Sequence, residues 1–404
     1  MKISLIQPGR NNLKYLKWSY DSIRKNQGNH EVEICVADDF SNDGTWDWCL
    51  EIMDKDPLFK AIRNEGPTRL GHTILYDQLV NEVATNDICM IYHADMYLCP
   101  KALDAIEEHL TDKTIVSLTR IEPPLHPDGP EKLLMDFGIE PEEFNEEGLL
   151  EYVKKLPMTK ITEGIFAPWA FYKKDFQEIG GHDPLYAPQS KEDTDIFNRF
   201  HLNGIKFVQT WKGFVYHMTC RGSRFADGAK RNPNGEVFMK NRETDEWLKQ
   251  NEKSTREFLR KCGHYCKHDR LMKPIVSPKY DIGFIVKNCN DQLLAILEPW
   301  CSNIYVDEGN IPSMIDNYIT LESPNTSTDL YQKIKLFDSE KNNEILVTID
   351  GNKFTQQDYQ YIQQLSQILA DSGEPAFHGE LGNLIVEIFE TMTTLEKDLI
   401  ICKQ

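Results

Sequence analysis

The sequence predicts an α/β protein, with a mostly parallel sheet flanked by helices and a second, smaller α/β domain at the C-terminus. Three observations carry this reading. Short apolar runs alternate with stretches of helical spacing along the first half of the chain, the pattern of a parallel sheet with helices on both faces. Acidic residues cluster where two of those runs end, at 38–43 and at 95, and ligands of such sheets bind beyond the carboxyl ends of strands. The charge then changes sign near residue 274. Residues 206–274 hold 16 Lys/Arg against 8 Asp/Glu, and residues 275–404 hold 8 Lys, no Arg and 20 Asp/Glu. That change sets the expected boundary: a domain over 1–274, with 225–274 a basic helical extension or linker, and an acidic accessory domain over 275–404.

Each element follows from its own pattern. Residues 3–6 are a short apolar strand. Residues 12–25 place Leu13, Leu16, Tyr20 and Ile23 on one side of a helix. A second strand at 32–37 runs into the acidic turn, and a helix at 46–53 follows. A short strand at 60–63, a helix at 73–84 and a strongly apolar strand at 87–92 come next. Residues 160–171 form an apolar and aromatic stretch, and 180–183 a turn. A helix opens at 191 and ends before Gly204; 206–209 starts a strand, and 215–218 closes the next apolar stretch. Beyond 274, strands are expected at 280–286, 303–307 and 345–349, and helices at 291–297, 329–337 and 356–369. Residues 383–388 and 399–402 are expected to add a strand pair.

Composition narrows the function classes. The chain of 404 residues is 40% hydrophobic and 27% charged, ordinary for a globular protein. Its net charge of −19 disfavours a nucleic-acid binder that works by overall charge. Ten cysteines follow no dense framework, so a reducing, cytoplasmic setting is expected. The first apolar run breaks at Gln7-Pro8, unlike a signal segment. No run approaches the ~18 apolar residues of a membrane span.

The acidic strand ends form an ordered set with later residues. Val36-Ala37-Asp38-Asp39-Phe40-Ser41-Asn42-Asp43-Gly44-Thr45 is followed by His93-Ala94-Asp95, Gly180-Gly181-His182-Asp183, Glu192-Asp193 and His217. Over about residues 1–225 this set resembles family-two glycosyltransferases of the GT-A fold. Their pattern runs V-D-D-G-S-x-D-G-T, D-x-D, G-G-F-D-E, an E-D pair and a late histidine. The resemblance implies a metal-dependent, inverting glycosyltransferase that moves a sugar from a nucleoside-diphosphate sugar to a hydroxyl acceptor. It implies nucleotide contacts at Pro8, Asp38, Asp39, Asn64, Arg69 and Ala94, with a uridine nucleotide favoured. Asp95 and His217 are the expected ligands of Mn²⁺ or Mg²⁺, with imidazole leaning toward Mn²⁺. Asp193 is the expected general base, with Glu192 beside it. Trp169, His93, Gly181 and Arg221 are expected near the sugar or acceptor. His93 stands where the family has an aspartate, and its role stays open among metal ligation, a ribose contact and support of the strand end.

The expected acceptor is a glycan. A nucleic-acid base hydroxyl ranks second, because of the basic stretch. A nucleotide-sugar-binding module with weak catalysis ranks third, because of His93. No Gly-rich loop of a nucleotidyltransferase or dehydrogenase follows the first strand.

Overall fold

The computed structural model describes residues 1–156, 159–219, 228–240, 243–307, 312–372, 378–389 and 392–402. They form two compact units. The first comprises 1–250, 268–275 and 402–404, and the second 251–267 and 276–401.

The first unit opens with β1 (Lys2–Gly9), α1 (Leu13–Asn26), β2 (Glu31–Asp39), α2 (Thr45–Lys55), β3 (Phe59–Asn64) and α3 (Gly71–Gln78). Then come β4 (Ile88–Ile91), β5 (Met96–Leu98), α4 (Ala102–His109), β6 (Thr114–Glu122), β7 (Lys132–Leu134), α5 (Glu146–Lys155) and β8 (Ile161–Thr162). It continues with β9 (Trp169–Tyr172), α6 (Lys173–Glu178), α7 (Glu192–Leu202), β10 (Lys206–His217) and a short hairpin, β11 (Lys230–Arg231) and β12 (Val237–Phe238). The sheet runs β3-β2-β1-β4-β9-β6-β10-β5. Its first four strands are parallel. β9 lies antiparallel between β4 and β6. β1 and β2 are buried on both faces because helices cover the sheet on each side. The expected helix at 73–84 is α3 followed by a π-helical turn, Leu79–Val83. Strand β6 was not expected from sequence. It is central, buried, and ends in Glu122.

The second unit contains most of α8 (Asp245–Cys262), then β13 (Ile282–Lys287), α9 (Asp291–Leu297), β14 (Asn303–Val306), α10 (Pro312–Glu322) and α11 (Leu330–Lys333). It ends with β15 (Ile334–Leu336), β16 (Ile345–Asp350), α12 (Gln356–Ser372), β17 (His378–Leu381), β18 (Leu384–Ile388) and α13 (Glu396–Ile400). Its sheet runs β15-β14-β13-β16-β18-β17, with β13 to β16 parallel. Two expectations are corrected. Residues 329–337 form one helical turn and then a strand paired with β14, since β-branched Ile334 follows the helix into the sheet. Residues 399–402 do not pair with 383–388. β18 pairs instead with β16 and with β17, and 396–400 are helical.

Five of the sixteen Lys/Arg of the basic stretch, all among the described residues, form ion pairs with acidic side chains. Arg231 pairs with Asp136 and Glu143, Lys273 with Glu163, and Lys212 with Glu108. Arg256 and Arg260 pair with Glu298 and Glu322. Those five charges are not free for a nucleic-acid backbone. Among the described residues, no helix is long and apolar enough to cross a membrane. Nine described cysteines are free.

Candidate active site

The turn between β4 and β5 carries His93, Ala94 and Asp95. The backbone N–H of Met218 donates to the Asp95 carbonyl at 3.0 Å, and His217 pairs in register with Met96. The end of β10 is thereby fastened to this turn. Ligand-capable atoms of His93, Asp95 and His217 all lie within 4.8 Å of one another. His217 Nε2 sits 3.3 Å from Asp95 Oδ1. Its Nδ1 lies 2.7 Å from Glu122, because β6 and β10 run side by side with Tyr216 opposite Ile121. Glu122 is the residue that sequence reasoning missed. A carboxylate on the far nitrogen fixes an imidazole's orientation and leaves Nε2 for a cation.

The electrostatics agree with that arrangement. Burial presses His93 down to about 3, with the neighbouring His217 adding to the effect, so its ring is neutral and offers a lone pair. Burial also pulls on His217, but Asp95 and Glu122 outweigh it and leave it at about 9. Glu122 is held well below the usual carboxylate range: burial opposes this, but Arg120 and His217 outweigh it. A cation binding here would displace the His217 proton.

The Glu192-Asp193 pair is set by strained backbone. Ser190 and Lys191 both adopt left-handed conformations, with φ of 83° and 73°, at the entry to α7. Such residues cost about 1–3 kcal/mol each. Glu192 is buried, whereas Asp193 opens to solvent. Burial, then the charge of Asp193, pushes Glu192 up to about 8. Asp193 is also raised by desolvation, with His182 and Arg120 pulling it back. Burial, then the charges of Asp193, Glu192 and Asp95, raises Tyr76.

The nucleotide-side expectations fare differently. Asp38 is fully buried. It accepts from the Ser41 N–H at 3.0 Å and faces Arg63 at 3.3 Å. Asp39 accepts from Asn64 Nδ2 at 2.7 Å and from the N–H groups of Leu70 and Gly71 at 3.1 and 3.0 Å. Arg69 reaches Gln189 and approaches Asp39 at 3.8 Å. These side chains knit the turn after β2 to the loop after β3, so that Asp38 and Asp39 serve the loop's shape before any ligand. Pro8 and Ala94 are buried at the ends of β1 and β4.

Trp169 is a correction. It is 0% exposed, packed on Phe171, Phe197 and Phe200, so it offers no face to a sugar and belongs to the core. Gly181 is required by crowding: a Cβ there would lie 2.0 Å from the Asp77 carboxylate. Arg221 lies outside the described residues.

Residues 4–180 match the model of glycosyl transferase family 2. The match spans less than half of the chain. The matched stretch lies within the first unit and is similar to that family in sequence. Solved structures that resemble it include GalNAc-T7 with UDP, GalNAc and Mn²⁺, at 14% identity and TM-score 0.40, covering 54% of this chain and 44% of that one. The mannosyltransferase PcManGT from Pyrobaculum calidifontis, in complex with GDP-Man and Mn²⁺, matches at 15% identity and TM-score 0.39, covering 54% and 57%. TarS of S. aureus matches at 16% identity and TM-score 0.40, covering 55% and 37%. The chain thus spans less than two thirds of the length of each. No curated protein matches it.

Proposed function

We propose that residues 1–274 form a metal-dependent, inverting glycosyltransferase that moves a sugar from a nucleoside-diphosphate sugar to a hydroxyl acceptor, with a glycan the favoured acceptor and 275–404 an accessory domain. The observation that carries this reading is the gathering of the ligand-capable atoms of His93, Asp95 and His217 within 4.8 Å of one another. Two imidazoles and one carboxylate, with Glu122 behind one imidazole, suit Mn²⁺ better than Mg²⁺, which prefers oxygen donors. His93, Asp95 and His217 would hold the ion. When bound, such a cation supplies Lewis-acid neutralisation of the departing diphosphate.

The chain's own residues supply the rest. Asp193 accepts the proton of the acceptor hydroxyl as that oxygen attacks the anomeric carbon opposite the leaving group. Its exposed position lets an acceptor reach it. Buried Glu192, uncharged at neutral pH, leaves the negative charge on Asp193. The loop held by Asp39, Asn64 and Arg69 forms the donor side.

The test is release of nucleoside diphosphate from UDP- and GDP-sugars with and without Mn²⁺. We expect release that needs the metal and is lost in Asp95→Ala and Asp193→Asn, with folding intact by circular dichroism. Equal activity in both variants would remove this site from consideration.

A further inference from the structure

The segment that leads into α7, residues 186–191, is seated on the loop after β3 and the first turn of α3. Three contacts make the seat. Arg69 Nη2 donates to Gln189 Oε1 at 3.1 Å. Gly71, the first residue of α3, runs so close to Pro188 that a Cβ there would lie 2.1 Å from the Pro188 carbonyl oxygen. The Thr73 hydroxyl donates to the Tyr186 carbonyl at 3.4 Å. Gln250, also of the first unit, holds the Ala187 carbonyl at 3.3 Å, so the loss of one bond at Gln189 leaves the segment attached.

Asp39 organises the same stretch of the loop. It accepts from the N–H groups of Leu70 and Gly71, and its Oδ2 lies 3.8 Å from Arg69 Nε. Arg69 therefore bridges Asp39 to Gln189, and Gly71 meets Asp39 through its N–H while it abuts Pro188. Beyond Gln189 the backbone is strained, with Ser190 and Lys191 both left-handed. Such conformations persist only where the surrounding structure over-determines them. On the helix side the Asp195 N–H fixes the Lys191 carbonyl at 2.9 Å. On the other side the fixing is done by the seat. Glu192 and Asp193 follow directly.

We propose that Gln189 is a positioning residue for the proposed base: through Arg69 it ties the turn that aims Asp193 to the loop organised by Asp39, so that the base and the donor side are set as one piece. This rests on the reading of Asp193 as base and of that loop as the donor side. Gln189 stands four positions before Asp193 and acts through the backbone between them. A base must lie within hydrogen-bond reach of the proton it takes, and a displacement of about 1 Å can cost up to about 10²-fold in rate. A residue that only held the fold would change stability with no effect specific to Asp193.

The experiment measures nucleoside diphosphate release by the full chain with Mn²⁺, using whichever of UDP-GlcNAc and GDP-mannose the wild type turns over faster. Calorimetry with the matching nucleoside diphosphate reads donor-side binding separately. Gln189→Leu and Gln189→Ala remove the acceptor of the Arg69 bond, and Gln189→Glu keeps an oxygen there. The first two are expected to lower kcat about tenfold, with donor KM and diphosphate Kd within about twofold of wild type. Gln189→Glu should stay within about threefold of the wild-type kcat. Added to Asp193→Asn, Gln189→Leu should cost nothing further, because both changes act on one group. Unchanged kcat in folded Gln189→Leu and Gln189→Ala, with Asp193→Asn impaired, overturns the proposal and leaves the base reading standing. So does a tenfold loss that persists on top of Asp193→Asn, a Gln189→Glu as slow as Gln189→Leu, or weakened diphosphate binding. An active Asp193→Asn, or no release by the wild type, overturns both.

Discussion

Both units bury several charged groups, and the two sets are satisfied in different ways. In the second unit Glu298 is fully buried and meets Arg260 at 2.6 Å, Lys333 at 2.8 Å and Arg256 at 3.4 Å. Arg260 also reaches Glu257 and Glu322 at 2.5 Å, and Tyr318 donates to Glu298 at 2.8 Å. Three cations surround that carboxylate, so opposite charges outweigh burial and Glu298 falls to about 2. In the first unit Glu192 and Asp193 are neighbours in sequence, and burial, then the charge of Asp193, lifts Glu192 to about 8. Paired buried charges hold structure, at a desolvation cost that complementary partners offset. Like charges crowded beside an opening store unfavourable energy that a substrate and a cation can relieve.

The comparison can be broken by experiment, starting with the largest effect. Arg260→Ala leaves Glu298 and Glu257 short of a partner in the interior, and about 3–5 kcal/mol of stability should be lost. Urea unfolding reads this directly, and a loss below about 1 kcal/mol would contradict a paired network. Asp193→Asn should lower nucleoside diphosphate release about 10²–10³-fold while leaving the melting temperature within a few degrees.

The pH dependences should have opposite signs. Glu298, depressed in the folded state, contributes stability that is full above its unfolded value of about 4.5 and is lost as pH falls toward 2. Glu192, raised in the folded state, does the reverse: wild-type stability falls as pH rises from about 4.5 through 8. Glu192→Gln should therefore gain on the wild type across that window, and the melting difference between pH 5 and pH 8 measures it. Parallel curves would mean that Glu192 is ionised throughout. The smallest effect expected is at Gly181→Ala, about 1–2 kcal/mol, because φ is +69° and the new Cβ would press on Asp77. Unchanged stability there would show that Asp77 has room to move.

Much of the first unit was legible because its parallel strands are buried on both faces. Such strands read as nearly continuous apolar runs; 32–37, interrupted by Glu33, and 87–92, opening at Asp87, were found that way. The acids at their ends were legible for the same reason, since a polar residue that stops an apolar run stands out. Trp169 was misread because a core tryptophan and a sugar platform look alike in a linear pattern. Glu122 was missed because β6 is assembled by pairing with β10 and β9, far apart in sequence. In the second unit, three residues of β15 were too few to show a period of two.

The order of residues alone determined the α/β class, the acidic turns at the ends of β2 and β4, and the identity of the groups that could do chemistry. Folding decided which of those groups meet. Asp95 and His217 stand 122 positions apart, and only the antiparallel pairing of β5 with β10 brings them to 3.3 Å. Folding also turned Asp38 inward and left Asp193 outward, because burial depends on what the rest of the chain packs against each side chain.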